Sequence, residues 1–154
     1  MEVLTPVKVL RSPRRHVGGV AAGVPDHDYR AYQALYLGFI AAPILAGLDK
    51  FFNLLTNWDQ YLAPWVANLT GGGYGLMKAI GVVEIAAGLL VAVSPRLGGL
   101  VVMAWLWGII VNLVTFPGFY DIALRDFGLS LGAFALSRLA LEYGHPPSPI
   151  TLRE

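Results

Sequence analysis

The sequence has no cysteine among its 154 residues, so disulfides, thiolate metal sites, iron–sulfur clusters and cysteine nucleophiles are excluded together. Charge is scarce as well. Asp, Glu, Lys and Arg make up only 14% of the chain, against about a quarter of an ordinary soluble domain. The three histidines, His16, His27 and His145, all fall in predicted tails. No histidine pair is therefore expected inside the apolar part of the chain to hold haem, copper or iron. P-loop, Gly-x-Ser-x-Gly and His-Glu-x-x-His patterns are missing, and Gly71-Gly72-Gly73 reads as a flexible joint rather than a phosphate cradle. No signal peptide is expected, because the first 30 residues are basic and Pro/Gly-containing without an apolar core beside a cleavage site. Arg14-Arg15 runs into Gly and Ala, too weak an apolar stretch for a twin-arginine signal.

What the chain does have is apolar surface. Hydrophobic residues make up 56% of it, and its mean hydropathy of +0.59 is too high for a soluble domain of this size. These residues gather into four blocks of helical length, about 31–55, 75–93, 97–116 and 120–140. Each can cross a hydrocarbon core about 30 Å thick. The expected fold class is all-α, a bundle of four transmembrane helices over residues 31–141. A basic tail, 1–30, precedes it and a short tail, 142–154, follows.

Orientation follows from the Lys and Arg residues near the span ends. With the N-terminus inside, Lys8, Arg11, Arg14, Arg15, Arg30, Arg96, Arg138 and Arg153 lie on the inner side, against Lys50, Lys78 and Arg125 outside. This split predicts both termini in the cytoplasm and a multi-pass protein of the cell (inner) membrane. Ser94-Pro95-Arg96 and Pro117-Gly118-Phe119 are tight joints, which makes the helices they connect antiparallel neighbours. The long outer connection, about 56–73, alternates Trp58, Tyr61 and Trp65 with polar residues and predicts a short interfacial helix, as an aromatic belt or a lid.

Each charge inside a span costs about 2.5–3.5 kcal/mol on insertion scales, so the polar residues of the spans call for partners or a purpose. At 100° per residue, Asp121, Arg125, Gly128, Gly132 and Ala135 share one arc, which predicts an ion pair above a Gly-x-x-x-Gly packing face. Gly81, Glu84 and Gly88 share another; Gly98, Trp105, Gly108 and Asn112 a third; and Gly38, Ala42, Leu45 and Asp49 a fourth. The chain reverses at each turn, so Asp49, Lys50, Glu84, Asn112, Asp121, Arg125 and Asp126 are expected together in the outer half, with Asp126 turned aside. Glycines 81, 88, 98, 108, 128 and 132 (Gly81, Gly88, Gly98, Gly108, Gly128, Gly132) are expected in the helix seams. The polar group reads in two ways. In one, Arg125 pairs with Asp121 and Glu84 and the network fixes helix register; in the other, the group lines a hydrated pocket with Arg125 and Lys50 as donors.

Several segments carry a likeness. Ala46-Gly47-Leu48-Asp49-Lys50-Phe51 ends the first span, and Gly81-Val82-Val83-Glu84-Ile85-Ala86-Ala87-Gly88-Leu89-Leu90 lies in the second. With the Pro95-Arg96 turn and the short last hairpin, these segments resemble the DoxX family of small bacterial and archaeal membrane proteins over about residues 32–140. The resemblance implies a four-helix bundle. For some relatives it also implies a subunit of a quinone-linked sulfur-oxidising or stress-related oxidoreductase complex. Gly47, Lys50, Glu84 and Gly88 are the positions that match the family pattern, and the absence of cysteine argues against direct thiol chemistry.

The expected function is thus a non-metal integral subunit of a quinone-linked redox complex, not catalytic alone. It would anchor a partner and contribute to a quinone or small-anion site near Arg125, Glu84 and Lys50. No intrinsic cofactor or metal is expected, and catalytic residues are not assigned. The expected partners are the lipid bilayer and other membrane subunits. Nucleic acid is not among them, since anionic lipid accounts more simply for a basic tail beside a membrane. The alternatives are a purely structural assembly subunit and a small-solute or proton carrier.

Overall fold

The computed structural model describes residues 27–71 and 73–143. The expected tail segments 1–26 and 144–154 lie outside these described residues. Within them the chain is all-α: α1 (His27–Phe52), a 3-10 turn (Trp58–Tyr61), α2 (Pro64–Thr70), α3 (Gly73–Val93), α4 (Pro95–Val114) and α5 (Tyr120–Tyr143). No strand occurs among the described residues.

Local chemistry sets the helix ends. α1 starts before the expected residue 31 and stops short of 55, because Asn53 turns into the left-handed region at φ 51° and donates its N–H to the Asp49 carbonyl at 2.7 Å. Pro64 opens α2 at its first turn, and Gly71, at φ 74°, closes it. Pro95 begins α4 one residue after α3 ends, so the α3–α4 reversal takes only Ser94. The aromatic connection carries the short helix expected there.

α1, α3 and α4 are each long and apolar enough to cross a membrane. α5 has the length, about 36 Å at 1.5 Å per residue, but carries Asp121, Arg125, Asp126, Arg138 and Glu142 along its 24 residues. Large apolar side chains stand exposed around the outside of the bundle, among them Leu45, Leu89, Leu124, Leu131 and Phe134. Such a surface suits lipid rather than water.

Lipid tails are as apolar as leucine, so helices in a bilayer associate through close backbone approach rather than hydrophobic expulsion. α1 packs along α3, and α4 along α5; contact between the two pairs is slighter. A Cβ on Gly47 would stand 2.6 Å from the Gly81 carbonyl oxygen, and a Cβ on Gly81 would meet the Gly47 carbonyl at the same distance. Gly88 is held as closely by Ile44 and Ile40. In the second pair, a Cβ on Gly99 would stand 2.7 Å from the Ala133 carbonyl oxygen, an approach the seam pattern missed; Gly98 joins the pairs against Val91.

Two expected seam residues are corrected. Gly108 and Gly128 have nothing within 4 Å of a built Cβ. The packed face of α5 is instead Ala123, Ser130, Ala133, Leu136, Ser137 and Ala140, rotated by about a third of a turn from the Asp121/Arg125/Gly128 line. The rotation has a simple cause: at the first turns of α5 the two charges can reach a polar surface, so nothing forces them inward. Gly132 still touches a neighbour, the Phe39 ring of α1.

Tyr32, Phe39, Val91, Val102, Leu136 and Ala140 form the centre of the core, toward the end of the bundle that holds the α3–α4 reversal. Tyr29 and Tyr32 of α1 meet Tyr143 of α5 there, with centroids 5.3 and 5.4 Å apart. At the opposite end the 3-10 turn and α2 reach across between the helix pairs.

Candidate functional site

Gly47 and Gly81 let α1 and α3 touch, and one turn further along each helix a charged residue follows. Lys50 Nζ lies 2.6 Å from Glu84 Oε2, and the two residues are 6% and 7% exposed. The approach of the glycine backbones creates this buried ion pair; a side chain at either glycine would hold Lys50 and Glu84 apart. The Trp58 ring covers the ammonium from the other side, 3.7 Å from its centroid.

Asp49, next to Lys50, has a different task. Its carboxylate accepts the N–H groups of Leu54 at 2.9 Å and Leu55 at 3.1 Å, and the indole N–H of Trp58 at 2.7 Å. Asp49 thereby caps the end of α1 and fixes the ring that shields Lys50. Asn112 of α4 does the same for the far side of the connection. Its amide donates to the Tyr61 carbonyl at 2.7 Å, and its oxygen accepts the Ala63 N–H at 3.0 Å. Trp65 adds a third tether through its indole N–H to the Thr115 hydroxyl at 2.9 Å.

The structure therefore divides the expected polar group. Lys50 and Glu84 meet; Asp49 and Asn112 hold the connection above them. Asp126 is half-buried, and Lys50, Glu84 and Arg125 are the charged groups acting on it. Asp121 and Arg125 pair with each other at 3.8 Å with side chains 76% and 69% exposed, and Arg125 also reaches the edge of the cavity between the helix pairs. The expected Arg125–Glu84 pair is replaced by Lys50–Glu84, since the glycine seam brings α1, not α5, against Glu84. Sequence reasoning put Trp58 in an aromatic belt or lid and Trp105 on the Asn112 line, but counted neither among the site residues. The signal for Trp58 was its place eight residues after Lys50, in a connection too short to lead its ring far away.

Between the two helix pairs and beneath the connection lies a cavity of about 890 Å³. Its walls are largely apolar, from Phe39, Ala42, Met77, Val102 and Leu106, while Lys50, Glu84, Trp105, Asn112 and Asp126 give one region polar character. The indole nitrogen of Trp105 is buried and makes no hydrogen bond, although it lies close enough to Glu84 to act on that carboxylate. Lys50 and Glu84 cancel in charge, Asp126 adds a half-buried carboxylate, and Arg125, also in the lining, is exposed and paired with Asp121. No group of three or more His, Cys, Asp or Glu side chains suited to a metal ion occurs among the described residues. A mostly apolar chamber with a few convergent polar groups is the usual form of a small-molecule site.

No protein-family model, curated protein or solved structure matches this chain.

Proposed function

We propose that this chain is a DoxX-like integral subunit of a quinone-linked membrane redox complex, anchoring a partner and holding a quinone in the cavity between its helix pairs. In this reading α5 is the fourth crossing. Its charges sit near its two ends, and its outer face of Leu124, Phe127, Leu131 and Phe134 is exposed and apolar. In the same reading both termini are cytoplasmic in the cell (inner) membrane, from the Lys and Arg count along the sequence, tails included.

One observation carries the ligand reading. The cavity is apolar over most of its wall and ends on polar groups that include a buried indole N–H without a hydrogen-bond partner. A quinone carbonyl is an acceptor on an uncharged, apolar body, which suits such a chamber. A small anion is the poorer fit, because Lys50 is already neutralised by Glu84 and Arg125, at the exposed edge of the lining, by Asp121. Lys50, Glu84 and Trp105 would lie nearest the head, with Phe39, Val102 and Leu106 against the apolar body. A bound quinone would supply two-electron, two-proton chemistry; this chain's own residues bind it, orient it and keep water away.

A structural share belongs to the same residues. Lys50 and Glu84 tie α1 to α3 at the point of closest backbone approach, so the pair also fixes the register of that seam. Purification of the native complex from membranes tests the proposal. An oxidoreductase partner and extractable quinone are expected. A protein consistently alone, with neither, overturns it.

A further inference from the structure

The cavity is covered at its two ends. The 3-10 turn and α2 roof it, held by Asn112 to Tyr61 and Ala63, by Trp65 to Thr115 and by Trp58 to Asp49. At the other end, Phe39 against Gly132 and the contacts of Tyr29 and Tyr32 with Tyr143 bring α1 and α5 together. Between these closures the α1–α5 side is open. Ala34, Gly38 and Ala42 of α1 and Leu129 of α5 line the cavity and are also exposed. A Cβ at Gly38 would meet nothing within 4 Å, so the gap is real space rather than a packed seam.

We infer that the cavity admits its ligand sideways from the bilayer through this α1–α5 gap, and that the ligand is a single-chain amphiphile with an uncharged, acceptor-bearing head. The occupant follows from the lining. Lys50 and Glu84, the two buried charges of the polar region, neutralise each other, so a charged head beside them would add an uncompensated charge in a low-dielectric site. Trp105 contributes a donor and needs an acceptor; a small adjustment of the indole brings its N–H to the head. The tail then lies in the gap, along the small side chains of Ala34, Gly38 and Ala42, where exposure of those residues to lipid would otherwise leave a cleft. The inference rests on the ligand reading above and adds its route and its shape.

The test uses the full chain in lipid nanodiscs and two probes, decylubiquinone and the same quinone ring without its alkyl tail. Gly38→Leu and, separately, Ala42→Leu fill the gap with side chains that have room to sit; Thr115→Val, outside the cavity lining, removes the acceptor of Trp65 and loosens the roof. Retained helical circular dichroism and monodisperse elution establish that each variant folds. Both gap variants should slow uptake of decylubiquinone roughly tenfold or more, as expected when a leucine narrows its path. Thr115→Val should change that rate less than about twofold, and the tail-less ring should bind both gap variants as it binds the wild type. Trp105→Phe should weaken the two probes alike by about 3- to 10-fold, the ratio set by one neutral hydrogen bond. Uptake unaffected by either leucine, or controlled instead by Thr115→Val, overturns the sideways route while leaving the quinone reading in place. A wild-type protein that takes up neither probe overturns both.

Discussion

Removing the charge of Glu84 while keeping its shape, as Glu84→Gln does, leaves the Lys50 ammonium without its counter-ion in a site where both residues are more than nine-tenths buried. The Trp58 ring, 3.7 Å from the ammonium, softens the loss but supplies only about 0.5–2 kcal/mol. Breaking one half of a buried ion pair costs about 3–5 kcal/mol, because the remaining charge stays desolvated. Glu84→Gln should therefore destabilise the bundle by roughly 3 kcal/mol after the contribution of Trp58. The Lys50→Met/Glu84→Leu double variant removes both charges and should lie within about 1 kcal/mol of the wild type. Reversible unfolding of the purified chain in mixed micelles, over a titration of denaturing detergent, reads both values. A Glu84→Gln variant that unfolds within 1 kcal/mol of the wild type, or a double variant as unstable as the single one, means that the pair is hydrated and the burial argument is wrong.

The glycines divide by the same measurement. Gly81→Ala puts a Cβ 2.6 Å from the Gly47 carbonyl oxygen and should cost about 1–3 kcal/mol as α1 and α3 are forced apart. Gly128→Ala meets open space and should be neutral or stabilising by up to about 1 kcal/mol. Arg125→Ala breaks only an exposed pair at 3.8 Å and should shift stability by no more than about 0.5 kcal/mol in the same titration. Asn112→Ala removes the donor to Tyr61 and the acceptor for Ala63. Limited proteolysis should then cut the 56–71 connection several times faster, while the four long helices stay intact.

The helices themselves were legible because the apolar blocks are long and their joints short, and both features constrain a chain whatever its tertiary packing. Helix ends were less so. Asp49 draws back the N–H groups of Leu54 and Leu55 and ends α1 early, and hydropathy cannot register such a cap. Glu84 and Lys50 were correctly singled out as polar residues needing partners, but not as each other's. Helical angles say which residues share a face of one helix; they do not say which helix lies opposite. The Gly47–Gly81 approach settles that question. On α5 the assumption that charged residues must face the interior turned the helix by about a third of a turn. Asp121 and Arg125 lie in its opening turns, where a polar surface is within reach, and the interior was left to Ala123, Ser130 and Ala133. A pocket at the polar group was one of two readings of the sequence; its size and largely apolar wall could not be read there, because they result from two helix pairs that meet at one end and are bridged by the connection at the other.

Native mass spectrometry of the full chain, released from nanodiscs cut directly from its own membranes, tests most directly whether the space between the helix pairs is a ligand site. The proposal predicts a protein that retains one quinone-mass adduct, which Gly38→Leu and Ala42→Leu diminish and Leu124→Ala, on the lipid-facing side, leaves unchanged. A chain that emerges bare, or with only phospholipid adducts indifferent to Gly38→Leu and Ala42→Leu, contradicts it.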